Sequence, residues 1–322
     1  MGPIDERAAI EAAGERRFAW WAYGLLALFI LASTGLHHLR PDILRVPSVT
    51  NVSTWKNPTF EQTLVHQRMN EAERRKILSH GATEGTDLRV ILSNDLFMIL
   101  VGLICFAHAS RHYSRWMASC FFIGSFVFTG LEESLWVLFG RFFGGWLTIP
   151  TGGTLHGTYW FAKGGFWFIE TPIVACIGWF AIAYSCVWAA GKVFPRLGLW
   201  PRAAVGGLIA MGTDLWQDPV QTSPEIMNWV WSKGDALLIF GIPLYNFAGW
   251  FLLIFVFAVF WEKLPWMERK WGRSRATLYF FSACIGGAFV IAALILAVSL
   301  YGAGGLLSIL GATRTVELPP GW

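Results

Sequence analysis

Apolar residues in this chain run in long blocks separated by short polar connections. A segment that crosses a bilayer as a helix needs about 20 predominantly apolar residues. Seven blocks meet or approach that length: 18–36, 90–109, 116–139, 166–190, 203–216, 237–261 and 278–301. The fifth is short, and is expected either to tilt or to continue through the turn at 216–220. The first comes after Arg16-Arg17 and has a long apolar run with no small-residue cleavage site, which reads as a retained helix rather than a signal peptide. The pattern predicts an all-α polytopic integral membrane protein, about seven transmembrane helices in one membrane domain spanning 1–322. Residues 37–89 form a long extracytoplasmic loop in this reading, and 59–78 carry enough helical periodicity for an interfacial helix.

The blocks are not independent. Trp160, Pro172 and Gly178-Trp179-Phe180 recur as Trp231, Pro243 and Gly249-Trp250-Phe251, every position at an offset of 71. A match at one fixed offset reads as an internal duplication, with repeats at about 116–190 and 203–261. Two spans separate equivalent helices, so the copies have the same orientation and are related by an axis along the membrane normal.

Composition agrees with lipid as the solvent. The chain is 55% hydrophobic and 16% aromatic, with 14% charged residues against about 25% in an average soluble domain. Arg16, Arg17, Arg111, Arg115, Lys192, Arg196, Lys263, Arg269 and Lys270 share the N-terminal side of the predicted topology, whereas the short connections opposite hold only Arg141, Lys163, Lys233 and Arg314. The positive-inside rule makes the N-terminus cytoplasmic. The net charge of +4 thus reflects that face and not a nucleic-acid patch, and no nucleic-acid partner is expected. All five cysteines fall inside predicted spans without C-x-x-C spacing, which implies neither a disulfide framework nor a thiolate metal site. The oligomeric state is not legible.

The unusual polar residues sort to the outer side. Glu132 and Glu133 lie near the outer end of the third span, Glu170 opens the fourth, and Asp214 and Asp218 close the fifth. Asn94 and Asp95 open the second, and His37-His38 end the first. Acids in apolar surroundings are costly and mark a functional site by default, the alternative being helix-end anchoring and loop capping. Across a shared axis the acids of the two repeats should face one another. Tyr159, Trp160, Trp179, Trp231, Trp250 and other aromatics surround them. Any single Trp reads as interfacial belt, but Trp179 and Trp250 lie well inside spans. Aromatic faces stabilise a cation by about 0.5–2 kcal/mol each, and a carboxylic acid shielded from water can hold and donate a proton. Acid plus aromatic walls suits proton addition to an apolar alkene.

Asp214-Leu-Trp-Gln-Asp218-Pro219, Asn228-Trp-Val-Trp231 and Gly241-Ile-Pro243-Leu-Tyr-Asn246-Phe-Ala-Gly249-Trp250 resemble the carotenoid biosynthesis protein family, which includes the membrane carotenoid 1',2'-hydratases acting on gamma-carotene or bisanhydrobacterioruberin. Gly157-Thr-Tyr159-Trp160, Thr171-Pro172 and Gly178-Trp179-Phe180 resemble its first half. The likeness covers roughly 130–260. It implies a polytopic hydro-lyase that adds water to the terminal double bond of a long acyclic isoprenoid without a redox cofactor. Two departures stand out: Glu170-Thr-Pro172 replaces the usual Gly-Val-Pro, placing an extra acid at the expected pocket, and the link from Glu133 to Gly157 is longer by about a dozen residues.

On this reading Asp214 or Asp218 protonates the alkene and Glu133 orients or deprotonates the water. Trp160, Trp179, Trp231 and Trp250 shield the cation, while Tyr159 and Asn246 hold water or a polar end group. Glu132, Glu170, His38 and His156 form a further polar set. Asp218-Pro219 also reads as a helix stop with Asp218 capping, which favours Asp214 as the acid. A metal stays open, because histidine with carboxylate suits non-haem iron or zinc. Two rivals remain: a metal-dependent lipid oxygenase or desaturase using the histidines and Glu170, and a transporter or binding protein for a hydrophobic ligand. A retinal receptor is set aside, since 278–301 holds no lysine.

Overall fold

The computed structural model describes residues 3–40, 88–143, 159–161, 164–222, 228–231, 238–240 and 242–297. In chain order these form α1 (Pro3–Leu39), α2 (Leu88–His112), α3 (Arg115–Ser125), a π-helical turn (Phe126–Gly130), α4 (Leu131–Phe143), strands β1 (Tyr159–Phe161), β2 (Trp167–Phe168) and β3 (Thr171–Pro172), then α5 (Ile173–Val193) and α6 (Leu199–Gln221). They continue as β4 (Trp229–Trp231), β5 (Leu238–Ile239), β6 (Ile242–Pro243), α7 (Leu244–Glu262), α8 (Leu264–Trp271) and α9 (Arg273–Ala297). Among the described residues, six segments are helical, long and apolar enough to cross a membrane: Trp20–Leu39, Leu92–His112, Arg115–Leu138, Ile173–Val193, Leu244–Trp271 and Arg273–Ile295. With α6, which matches them in length but carries Asp214 and Asp218, the architecture is an all-α polytopic membrane protein. The loop 41–87, with its interfacial-helix expectation, lies outside the described residues.

The duplication is structural as well as textual. The starts of the blocks 166–190 and 237–261, expected to be helical, instead hold two tight hairpins, β2–β3 and β5–β6, at the offset of 71. At each turn a non-glycine residue adopts a left-handed backbone: Ile169 with φ 56° and Phe240 with φ 51°, again 71 apart. Each hairpin leads into a helix at a proline, Pro172 (φ −59°) or Pro243 (φ −60°). A proline costs little there, since no intrahelical acceptor waits for its missing N–H. Apolarity alone could not separate these short strands from the helices they lead into.

Just before the hairpins, β1 and β4 pair antiparallel, Tyr159 opposite Trp231 and Phe161 opposite Trp229. An antiparallel pair made from equivalent segments is what a two-fold axis produces. Both hairpins therefore lie at one end of the bundle, and α5 and α7 run from it in the same direction.

Exposed backbone is not tolerated at membrane depth unless protein satisfies it, and the first hairpin is satisfied in this way. Thr34 and Ser33 of α1 accept from the N–H groups of Trp167 and Ile169, each at 2.9 Å, and Ser134 of α4 accepts from Glu170 N at 3.2 Å. Thr171 Oγ1 donates to Gly130 O at 2.9 Å. The core is aromatic, with Phe121 edge-on to Phe180, Tyr184, Phe257 and Trp261.

α6 begins four residues before the expected block and, as one of the two expectations had it, continues through Trp216–Val220, with Pro219 inside it. Asp218 is thus a helical residue and not the cap of a stop. Pro219 removes one donor from the ladder, yet Thr222 still closes the last turn onto Asp218 O through both its N–H and its hydroxyl. All five cysteines are free and lie within helices.

Candidate functional site

The π-turn at Phe126–Gly130 inserts one residue into the α3–α4 helix. An extra residue rotates the rest of the helix by about 100° at 3.6 residues per turn. The first acids beyond it are Glu132 and Glu133. Glu133 Oε1 accepts from Trp179 Nε1 at 2.9 Å, tying α4 to α5, while Glu132 is bonded to Trp136 one turn along its own helix.

The second repeat supplies the opposing acids. Asn246 Nδ2, in the first turn of α7, donates to Asp214 Oδ2 and Asp218 Oδ2, both at 2.8 Å. The spacing of four residues puts both carboxyls on one face of α6, where a single amide can reach both. Asp214 is fully buried, its Oδ1 meets no N–H, and its carboxyl faces that of Asp218. Glu133 lies within electrostatic reach of both. One proton held between two carboxyls this close relieves the repulsion of two like charges.

All of these groups but Asp214 border a cavity of about 970 Å³. Glu132, Glu133, Asp218, Asn246, Asp95 and Asn94 give it one polar end, and Trp136, Trp179, Trp229, Tyr245 and Trp250 form aromatic wall. Trp136 stacks on Tyr245, ring centroids 5.7 Å apart. The rest of the lining is mostly apolar or small.

Of the residues singled out from the sequence, Asp218, Glu133, Glu132, Asn246, Trp179 and Trp250 line this one cavity. Asp214 joins them from behind, since it does not line the cavity. This inverts the sequence preference: Asp218 is the acid at the wall and Asp214 its partner. Glu170 does not line the cavity. Its carboxylate lies 3.6 Å from His37 Nε2, and the His37 ring stacks on Trp167 at 4.0 Å and bonds Ile169 O at 2.9 Å. His38 Nε2 bonds Gly165 O at 2.8 Å. These residues fasten α1 to the first hairpin, an anchoring role produced by the same residue types that suggested chemistry. Tyr159, Trp160 and Trp231 lie in the β1–β4 ladder, but their side chains, like His156 and His80, lie outside the described residues.

Asp95, grouped from the sequence with the outer polar residues, had no role assigned to it there. It is 1% exposed, packs against the backbone amides of Gly165 and Phe166, and lines the cavity. A Cβ on Gly165 would come within 2.6 Å of its Oδ2, so the glycine is what admits the carboxyl. An acid with Asn94 at the start of an apolar run was the available signal. Among the described residues, no three His, Cys, Asp or Glu side chains converge as metal ligands. No family model, curated protein or solved structure matches the chain.

Proposed function

We propose that the chain is a membrane-embedded hydratase that adds water across the terminal double bond of a carotenoid-like isoprenoid. The observation that carries this reading is the buried carboxyl cluster set against indole faces at the polar end of a long, otherwise apolar cavity. The segments that resemble the carotenoid biosynthesis family supply Asp214, Asp218, Asn246 and Trp250 to that cluster, which supports the same reading.

In the proposed step, Asp218 transfers its proton to the terminal alkene, forming a C–H bond and leaving a tertiary carbocation on the neighbouring carbon. Trp179 and Trp250 face the developing charge, each stabilising it by about 0.5–2 kcal/mol. Water forms the C–O bond, and its released proton goes to Glu133. Passage of that proton back to the Asp214–Asp218 pair restores the resting state, so the net change is addition of one water with no oxidation. Asn246 holds the two carboxyls in place. The enzyme sits in a bacterial or archaeal plasma membrane with its N-terminus cytoplasmic, and hydrates at the outer side.

The test is mass spectrometry of lipid extracts from a host that makes acyclic carotenoids, with and without the chain. The expected result is a new species heavier by one water that is lost in Asp218→Asn. An unchanged carotenoid profile with folded protein in the membrane overturns the reading.

A further inference from the structure

Away from the acids, the cavity continues as a groove along the outside of α5. Both α2 and α6 pack on α5, and the residues lining the cavity between them fall on one face of each helix. On α5 these include Ala175, Gly178, Ser185 and Ala189, on α2 Met98 and Cys105, and on α6 Ile209 and Thr213. The spacing matches the helical period, so α5 is the floor and the other two helices are the walls. From Val174 to Ala189 the floor extends about 22 Å, some four turns at 1.5 Å per residue. The small floor residues give it depth, while Ser185 together with Phe97 and Ile209 on its rims is exposed. In a membrane those exposed positions face lipid.

We infer that this groove holds the hydrocarbon chain of the substrate, lying parallel to the helices, entering sideways from the bilayer, and presenting only its terminal double bond to the carboxyls. The inference rests on the hydratase reading for the identity of the chain. Its occupant is one long acyclic isoprenoid: the groove is continuous with the carboxyl end and mostly apolar along its length. Among the described residues, its lining from Ala181 to Ala189 on α5 carries no charged group to receive a headgroup. A short isoprenoid would fill only the upper turns, so position along the floor measures chain length. Ser185 is then a specificity-determining residue three turns from the acids, and Gly178 one turn from them. A Cβ at Gly178 would meet only Met98 Cε, at 3.6 Å, so a larger side chain there enters the groove without disturbing the backbone.

The experiment uses the full chain in nanodiscs equilibrated with lycopene or with farnesene, which share the same isopropylidene end but differ in length. Retained hydrocarbon is measured per mole of protein. Wild type is expected to retain both. Ser185→Phe is expected to lower lycopene retention about tenfold or more and leave farnesene within about twofold, whereas Gly178→Leu lowers both. Leu278→Phe, an exposed site on α9, changes neither. Retained farnesene in Ser185→Phe also shows that the variant is folded. Alkylation of Cys105, which lines the same groove, by an apolar maleimide is expected to slow when lycopene is bound. Equal lycopene retention by Ser185→Phe and Leu278→Phe overturns the inference, as does a wild type that retains no lycopene and leaves the groove to ordinary lipid. Retention without any hydrated product overturns the hydratase reading and leaves the groove assignment standing.

Discussion

Trp179 and Trp250 are copies of one another, 71 residues apart, and their rings meet with centroids 4.3 Å apart at 42°. The pseudo-two-fold axis therefore passes between two indoles that both border the cavity. Their surroundings have diverged. Trp179 donates to Glu133, while the second repeat meets its acids through Asn246, whose equivalent in the first is Ala175. One half of a symmetric frame thus holds its acid through an indole and the other through an amide.

Glu133→Gln separates chemistry from packing. A glutamine oxygen still accepts from the Trp179 indole, so the fold should survive with stability changed by less than about 1 kcal/mol. Turnover should fall about a hundredfold or more, because the amide cannot take up a proton. Wild-type turnover in membranes containing the variant would remove Glu133 from the reaction.

The two aspartates should differ in degree. Asp218→Asn is expected to lower turnover about a hundredfold or more, since Asp218 lines the cavity. Asp214→Asn should retain measurably more activity, because Asp214 acts only through its neighbour. Product formation by the two variants, normalised to folded protein, checks the order, and the reverse order would restore Asp214 as the donor. Asn246→Leu leaves both carboxyls without their shared donor, and should destabilise the protein by about 2–5 kcal/mol in thermal or denaturant unfolding.

Glu170 and His37 should behave as structure. Glu170→Gln is expected to keep turnover within a few-fold of wild type, as befits a carboxylate outside the cavity. His37→Ala loses a ring stack and a hydrogen bond to the hairpin, which together should cost about 1–3 kcal/mol. A turnover collapse in folded Glu170→Gln would return this acid to the site.

Phe240 offers a stabilising change. A left-handed backbone costs a non-glycine residue about 1–2 kcal/mol, and this side chain is 73% exposed, so little packing offsets the strain. Allowing for the greater freedom of glycine in the unfolded chain, Phe240→Gly should raise stability by up to about 1 kcal/mol, visible as a higher melting temperature. At Gly207 the opposite holds. A Cβ there would lie 2.8 Å from the backbone oxygen of Phe251, so Gly207→Ala should part α6 from α7 and cost about 1–3 kcal/mol.

The spans and the duplication were legible because both rest on features that survive without coordinates: blocks of apolar residues, and Trp, Pro and Gly at one spacing. The hairpins were not. Ile169 and Phe240 carry none of the glycine or asparagine signal that a left-handed turn usually shows, and the apolar residues around them continue the helical blocks without a break. The acids were legible as a group, but their division of labour was not. Whether Glu170 faces a cavity or a histidine depends on the hairpin turn it sits in, and whether Asp214 or Asp218 reaches the wall depends on helix rotation. Helix rotation here is set by the π-turn and by Pro219 lying within α6 rather than after it, and neither has a reliable sequence mark.

The ladder between β1 and β4 also has a temporal consequence. Its strands are separated by about two spans, so the first cannot be matched until the second has left the ribosome and entered the bilayer. Closing so distant a pair carries the entropy of the intervening loop, which only later contacts repay. The polar end of the cavity is therefore assembled last. During synthesis Glu133 waits, with Trp179 as its companion, for a half of the protein that does not yet exist, and a chain halted after α5 would leave that carboxyl facing lipid with its counterpart acids missing.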